Sequence, residues 1–260
     1  MIFAHIKKSL VLLLLVMAPG AGDLAAQIHY QPLHENAEKF VGTWSRKNDY
    51  PRGNCGGLLD DHGRPRNNCA IPVDKMPLNA RARAWNQFFD ERLSPLYDCI
   101  PHSLPSLFGD VRPFHIVMKQ DRVEMTFGMG QTNRTIWLDG RSHPNPYEIA
   151  YHGFAIGHWE GDELVVDTRN FTFDPDGMDD HAHLPSSTRK KLTERYKITA
   201  PGEMTMTITV EDPAFLTKPF TYQHYWTQVK ARPLDYWAEC DPEVVRREID
   251  LTVPEKYPDK

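Results

Sequence analysis

The residues best suited to chemistry lie in "DPDGMDDHAHLP", Asp174 to Pro185, where Asp174, Asp176, Asp179 and Asp180 precede His181 and His183. Two histidines two apart face the same side of an extended chain. That spacing suits a pair of metal ligands, or one acid–base imidazole with a neighbour, because imidazole titrates near neutral pH and ligates transition metals. A divalent metal at His181/His183 needs a third and usually a fourth ligand. Asp179, His143 and Glu194 are available, but at no recognised spacing. A calcium reading places Asp174, Asp176 and Asp179 around Gly177, yet position 185 is Pro and no bidentate Glu closes the loop. A third reading is a solvated acidic turn, the common use of Asp, Gly and Pro together. On the acid–base reading His183 leads and His181 follows, because His183 lies nearer the segment carrying Glu194 and Arg195 and is more rigidly held. A general base also needs a carboxylate to fix its tautomer. Asp179, Asp180 and Glu194 are the candidates.

Other polar residues sit at the ends of apolar segments. Arg134, Asp139, Arg141 and His143 flank one turn, and Trp159, Glu160 and Asp162 flank another. Arg134 and Arg141 are able to hold an anionic substrate or an oxyanion, or to pair with Asp139, Glu160 or Asp167 as structural ion pairs. Arg134 therefore joins His183, His181 and Glu194 as a catalytic candidate. Arg141, His143, Trp159 and Tyr225 are the expected substrate contacts. Trp137, Tyr151, Phe154, Tyr222 and Trp226 line a cavity or fill a core. No Gly-x-Ser-x-Gly elbow exposes a serine. The glycines of "GFAIGHWEG" lie in apolar strand-like sequence with no following helix, so nucleotide and flavin cofactors are not expected. The reading is cofactor-free, with the divalent metal as its open alternative.

The elements that position these residues are mostly strands. "FHIVMKQDRVEMTFGMG" reads as two strands around a Gln-Asp turn, "NRTIWLDG" as a strand closed by Asp-Gly, and "GFAIGHWEGDELVVDTRNF" as a hairpin turning at Glu160–Asp162. "RKKLTERYKIT", "EMTMTITVED", "FTYQHYWTQVK" and "LDYWAEC" continue the series. In "MTMTITV" the apolar residues alternate with threonines, the mark of a half-buried strand. Many short antiparallel strands mean a barrel or a sandwich. Residues 48–113 are instead rich in Pro, Gly, Asn and Asp, with one helical window at Leu78–Leu93. One domain over residues 27–260, with 48–113 as an insertion, accommodates the length.

Two resemblances refine this. "AEKFVGTWSRK" resembles the Gly-x-Trp entry strand of the lipocalins and wider calycins. It implies a mainly β, antiparallel lipocalin-like (calycin-type) β-barrel, here with a long irregular N-terminal insertion containing one short helix. The ordered series "CIPHSLP", "RTIWLDGRSHP", "IGHWEGDELVVDT", "LTERY", "EDPAFLTKPF" and "AEC" resembles a largely uncharacterised family of secreted bacterial proteins marked by a GxWEGDxLVVDT hairpin. That likeness implies organisation and compartment rather than chemistry.

The N-terminus agrees with export. Lys7 and Lys8, an apolar run from Leu10 to Ala18 and small residues through Ala26 form the pattern of a cleaved signal peptide over residues 1–26. The expected location is the periplasm or the medium, where cysteines pair by default. Cys55, Cys69, Cys99 and Cys240 allow three pairings. Cys99 and Cys240 each end a motif of the secreted family, so the resemblance favours bridging them. A net charge of −5 offers no footprint for nucleic acid, and no later segment suits stable membrane insertion. Oligomeric state is not legible. The expected partner is a small, largely apolar, aromatic or polyketide- or terpenoid-like molecule. The leading expectation is a lyase, isomerase or cyclase working by His-mediated acid–base chemistry, hydrolysis next, and the alternative is a non-catalytic carrier of a hydrophobic ligand.

Overall fold

A computed structural model describes residues 33–47, 71–109, 112–128, 132–179, 182–230 and 240–252. Among these, nine strands close into a barrel in the order β1-β11-β10-β9-β6-β5-β4-β3-β2. They are β1 (Gly42–Arg46), β2 (Phe114–Met118), β3 (Arg122–Phe127), β4 (Asn133–Trp137), β5 (Phe154–Glu160), β6 (Glu163–Arg169), β9 (Lys191–Ala200), β10 (Glu203–Glu211) and β11 (Phe220–Val229). β7 (Asp174–Asp179) and β8 (Leu184–Ser186) form a separate two-stranded sheet. The chain is thus a mainly β, lipocalin-like barrel: its alternating segments left a barrel or a sandwich, and the Gly-x-Trp resemblance implied the barrel. One pairing departs from the antiparallel rule: β4 and β5 run parallel, because the chain between them returns to the far end before re-entering the sheet.

Gly-x-Trp builds the floor. Trp44 is fully buried and its indole donates to the Phe40 carbonyl at 2.8 Å, tying the barrel to the 3-10 turn Ala37–Phe40. Gly42 has φ +137°, and a Cβ there would meet the Gln228 amide at 2.5 Å. Only glycine tolerates both. At the opposite end, the mouth, β6 and β10 finish while β4, β9 and β11 begin. Above it lies the insertion. Helix α1 (Ala80–Phe88) falls inside the expected window and is capped by the Asn79 side chain, which accepts from Ala82 N. A four-residue helix, α2 (Ser106–Gly109), is wholly buried. Helix α3 (Pro242–Thr252) was not foreseen and packs near the 3-10 turn Pro95–Asp98. The Cys99–Cys240 disulfide joins these two regions, as the family resemblance implied. Residues 1–26, the cysteines at 55 and 69 and most of the expected strand "LDYWAEC" lie outside the described residues.

Candidate functional site: a lidded barrel mouth

"DPDGMDDHAHLP" is not a solvated acidic turn. Its residues Asp174–Asp179 and Leu184–Ser186 are β7 and β8, and Asp174, Asp176 and Asp179 are at most 1% exposed. Buried carboxylates need donors, and each has them. Asp174 accepts from Ser103 N at 3.0 Å, the Tyr151 hydroxyl at 2.9 Å and Asp176 N. Asp176 accepts from Ser94 Oγ at 3.0 Å, and Asp179 from Ala182 N at 2.7 Å. Gly177 is obligatory, since a Cβ would lie 2.5 Å from both Ser103 Oγ and Ser186 Oγ.

His183 sits in this hairpin with φ +47°. Its Nδ1 faces Asp176 Oδ1 at 3.2 Å, its Nε2 faces Glu91 Oε1 at 3.0 Å, and its ring stacks on Phe89. The carboxylate partners are therefore Asp176 and Glu91, not the Asp179 or Glu194 considered from the sequence. His181 and Asp180 lie outside the described residues. Trp85 Nε1 donates to Pro175 O at 3.1 Å and Asn86 Nδ2 to Ala182 O at 2.6 Å, so α1 and the β7–β8 hairpin form one lid.

Beneath the lid, the mouth half of the lumen is polar. Arg134 of β4 reaches across to Glu194 of β9 in a bidentate pair, both contacts 2.7 Å. Its Nη2 also donates to Thr168 Oγ1 at 2.7 Å, and the Tyr196 hydroxyl donates to Glu194. Burial alone would lower the Arg134 pKa, but the Glu194 charge and Tyr196 outweigh it and raise it. The phenol of Tyr196 is raised by burial and by Glu194. In the register of β9, β10 and β11, Glu194, Ile208 and Tyr222 share one rung, and Tyr196, Met206 and His224 the next. Tyr222, raised by burial and then by Asp179 of the lid, and His224, lowered by burial and the Arg46 charge, complete this inner wall.

A second buried cation closes the rim. Lys190 Nζ donates to Ser186 Oγ at 2.8 Å, to Ser103 Oγ at 3.2 Å and to Leu104 O, and lies 4.2 Å from the Phe171 ring centroid. Burial lowers its pKa to about 8, against the pull of Asp174 and Asp212. With three acceptors for three ammonium protons it is a structural tripod. His152 is lowered to about 4, first by burial and then by Arg134 and Lys190. A cleft of about 640 Å³ opens at the same end of the barrel, walled by Pro213, Leu216 and Pro219 among others.

The remaining sequence candidates do not converge here. Arg141 pairs with Asp139 and lies 3.6 Å over the Trp137 ring, near the floor end of β4. His143 faces Asp167 at 3.2 Å, with its pKa lowered by burial. Trp159 stacks on His34 and touches Phe40 at the floor, where it lines a cleft of about 510 Å³. Tyr225 points outward, bonded to Gln223, while Tyr222, His224 and Trp226 of the same strand are buried. Of the seven candidates among the described residues, only Arg134 and Glu194 meet. Of the inner-face trio, Tyr222 and Trp226 are among the expected cavity or core aromatics and His224 is not; choosing the face required the barrel register. Among the described residues, no cluster of three or more His, Cys, Asp or Glu has the geometry of a metal site.

These features define a lidded, lipocalin-like β-barrel with a charged and hydroxyl-rich mouth. No family model and no curated protein sequence matches the chain. Among solved structures, it is similar to a secretory abundant heat soluble protein from Ramazzottius varieornatus (10% identity, TM-score 0.36, 74% of this chain and 96% of that one). It is also similar to the wild-type fluorescent protein UnaG (15% identity, TM-score 0.33, 74% and 98%). The barrel is established by its own strand pairing, independently of these likenesses.

Proposed function

We propose that the chain binds a small molecule in the mouth half of its barrel, beneath the lid formed by α1 and β7–β8. The supporting observation is the Arg134–Glu194 pair, at most 5% exposed on either side. Replacing a buried ion pair by apolar residues of similar volume is often neutral or stabilising. A barrel under selection for stability alone has no need of this one, whereas a barrel that must orient a polar ligand does. The signal-like N-terminus and the resemblance to a secreted family support action in the periplasm or outside the cell, without a nucleic-acid partner or stable membrane insertion. The test uses protein stripped with organic solvent and melted with and without the extract of its own host cells. A ligand that binds only the folded state raises the melting temperature by mass action. A rise on adding the extract is the expected result. An unchanged melt across the concentration series counts against the reading.

A second reading is catalytic: proton transfer by His183 on the bound molecule, as a cofactor-free lyase, isomerase or cyclase. It is supported by the carboxylates at both ring nitrogens, which fix the orientation of the imidazole. Both nitrogens are engaged in the closed lid, so His183 reaches a substrate only by releasing Glu91. His183→Ala that abolishes turnover of the recovered compound while keeping the melting point supports this reading. Unchanged turnover leaves a carrier.

A further inference from the structure

We propose that the ligand presents an edge of oxygen acceptors, as carbonyl, enolate or carboxylate groups, to a ladder of hydrogen-bond donors on β11: Tyr222, His224 and Trp226. The inference deepens the ligand-binding reading above and rests on it. The three side chains are 5%, 2% and 1% exposed, and Tyr222 Oη, His224 Nε2 and Trp226 Nε1 meet no hydrogen-bond partner among the described residues. Alternate residues of a strand share a face, so all three project from the same buried side of β11, whose burial pattern alternates strictly over this stretch. Two residues of strand advance about 6.6 Å, so the ladder spans about 13 Å.

Chemistry fixes the polarity of each rung. An indole N–H only donates. Arg46 Nη2 lies 3.3 Å from His224 Nδ1. A guanidinium has no acceptor, so Nδ1 accepts, the ring proton resides on Nε2, and that nitrogen is a donor. Burial and the Arg46 charge hold this imidazole neutral. Tyr222 keeps its proton, because burial and the Asp179 carboxylate disfavour the phenolate. A fourth buried donor, Arg134 Nε, is likewise unpartnered. These four atoms, three on the ladder and one on Arg134, thus offer four protons, with the Tyr222 oxygen as the single acceptor among the four. A hydrocarbon satisfies none of them. A cation brings only more donors, and offers these atoms no acceptor. An acceptor-rich neutral or anionic molecule satisfies all of them. The aromatic walls of the ladder, Tyr222 on His224 at 5.2 Å and His224 on Trp226 at 6.0 Å between ring centroids, suit a planar one.

Three probes of one shape separate the possibilities: 2-hydroxy-1,4-naphthoquinone, naphthalene and 1-naphthylmethylammonium, titrated into the protein by calorimetry at pH 7. The quinone is expected to bind at least about tenfold more tightly than naphthalene, and the ammonium more weakly than either. Tyr222→Phe and Trp226→Phe each remove one donor and keep the ring. Each is expected to weaken the quinone about fivefold, the worth of one hydrogen bond, and to leave naphthalene unchanged. Tyr222→Phe deletes a single oxygen and carries the test if Trp226→Phe folds poorly. Equal binding of naphthalene and quinone, or quinone affinity unmoved by both variants, overturns the donor ladder while leaving a ligand-binding barrel. Failure of all three probes together with no response to the host extract removes the ligand-binding reading and the ladder with it.

Discussion

Arg134 and Glu194 neutralise each other in a place where neither tolerates being alone. Arg134→Met leaves a buried carboxylate without its guanidinium, and is expected to cost about 3–5 kcal/mol in urea unfolding. Arg134→Met combined with Glu194→Leu removes both charges and should recover most of that loss. A double variant no better than the single would show that the pair is replaceable in neither half. His152 gives a pH signature. Its ring titrates at about 4 in the fold against an ordinary value of 6.5, so folding favours the neutral form. Its contribution is complete above about pH 6.5 and is lost as pH falls toward 4, by up to about 1.4 kcal/mol per pH unit. Melting temperatures between pH 7 and 4 should therefore fall less steeply for His152→Asn than for the parent. Identical slopes would contradict the assignment.

At the scale of elements, the lid is held by contacts distant in sequence. Glu91 and Ser94 of the insertion meet His183 and Asp176 of the β7–β8 hairpin, and the Cys99–Cys240 disulfide anchors the same region to α3. Glu91→Gln and His183→Ala should each loosen the lid without unfolding the barrel, read as faster proteolytic cleavage within residues 80–109 at an unchanged melting point. Gly177→Ala should be harsher, because its Cβ collides with both Ser103 and Ser186; a variant with parental stability would refute that packing. This hairpin is where sequence reading reached least far. Asp, Gly and Pro are poor strand formers, and the partners that allow the carboxylates to be buried lie as far as 82 residues away, as Ser94 is from Asp176. The barrel strands were legible for the opposite reason. Met204, Met206, Ile208 and Val210 carry their burial in local alternation, and all four are buried.

For the whole molecule, the strand pattern left a barrel or a sandwich, the Gly-x-Trp resemblance favoured the barrel, and the inner face of the mouth required the register. Alternation shows that Tyr222, His224 and Trp226 share a face, but only closure of the barrel shows that the face is interior, and only the neighbours show that its donors are unmatched. The central claim is that this lumen holds a small molecule. Native mass spectrometry of the protein isolated from the cells that make it tests that claim most directly. The account predicts a population heavier than the polypeptide by one small, oxygen-rich molecule, and a marked loss of that population in Tyr222→Phe. A protein carrying only its polypeptide mass, before and after exposure to the host extract, would contradict it.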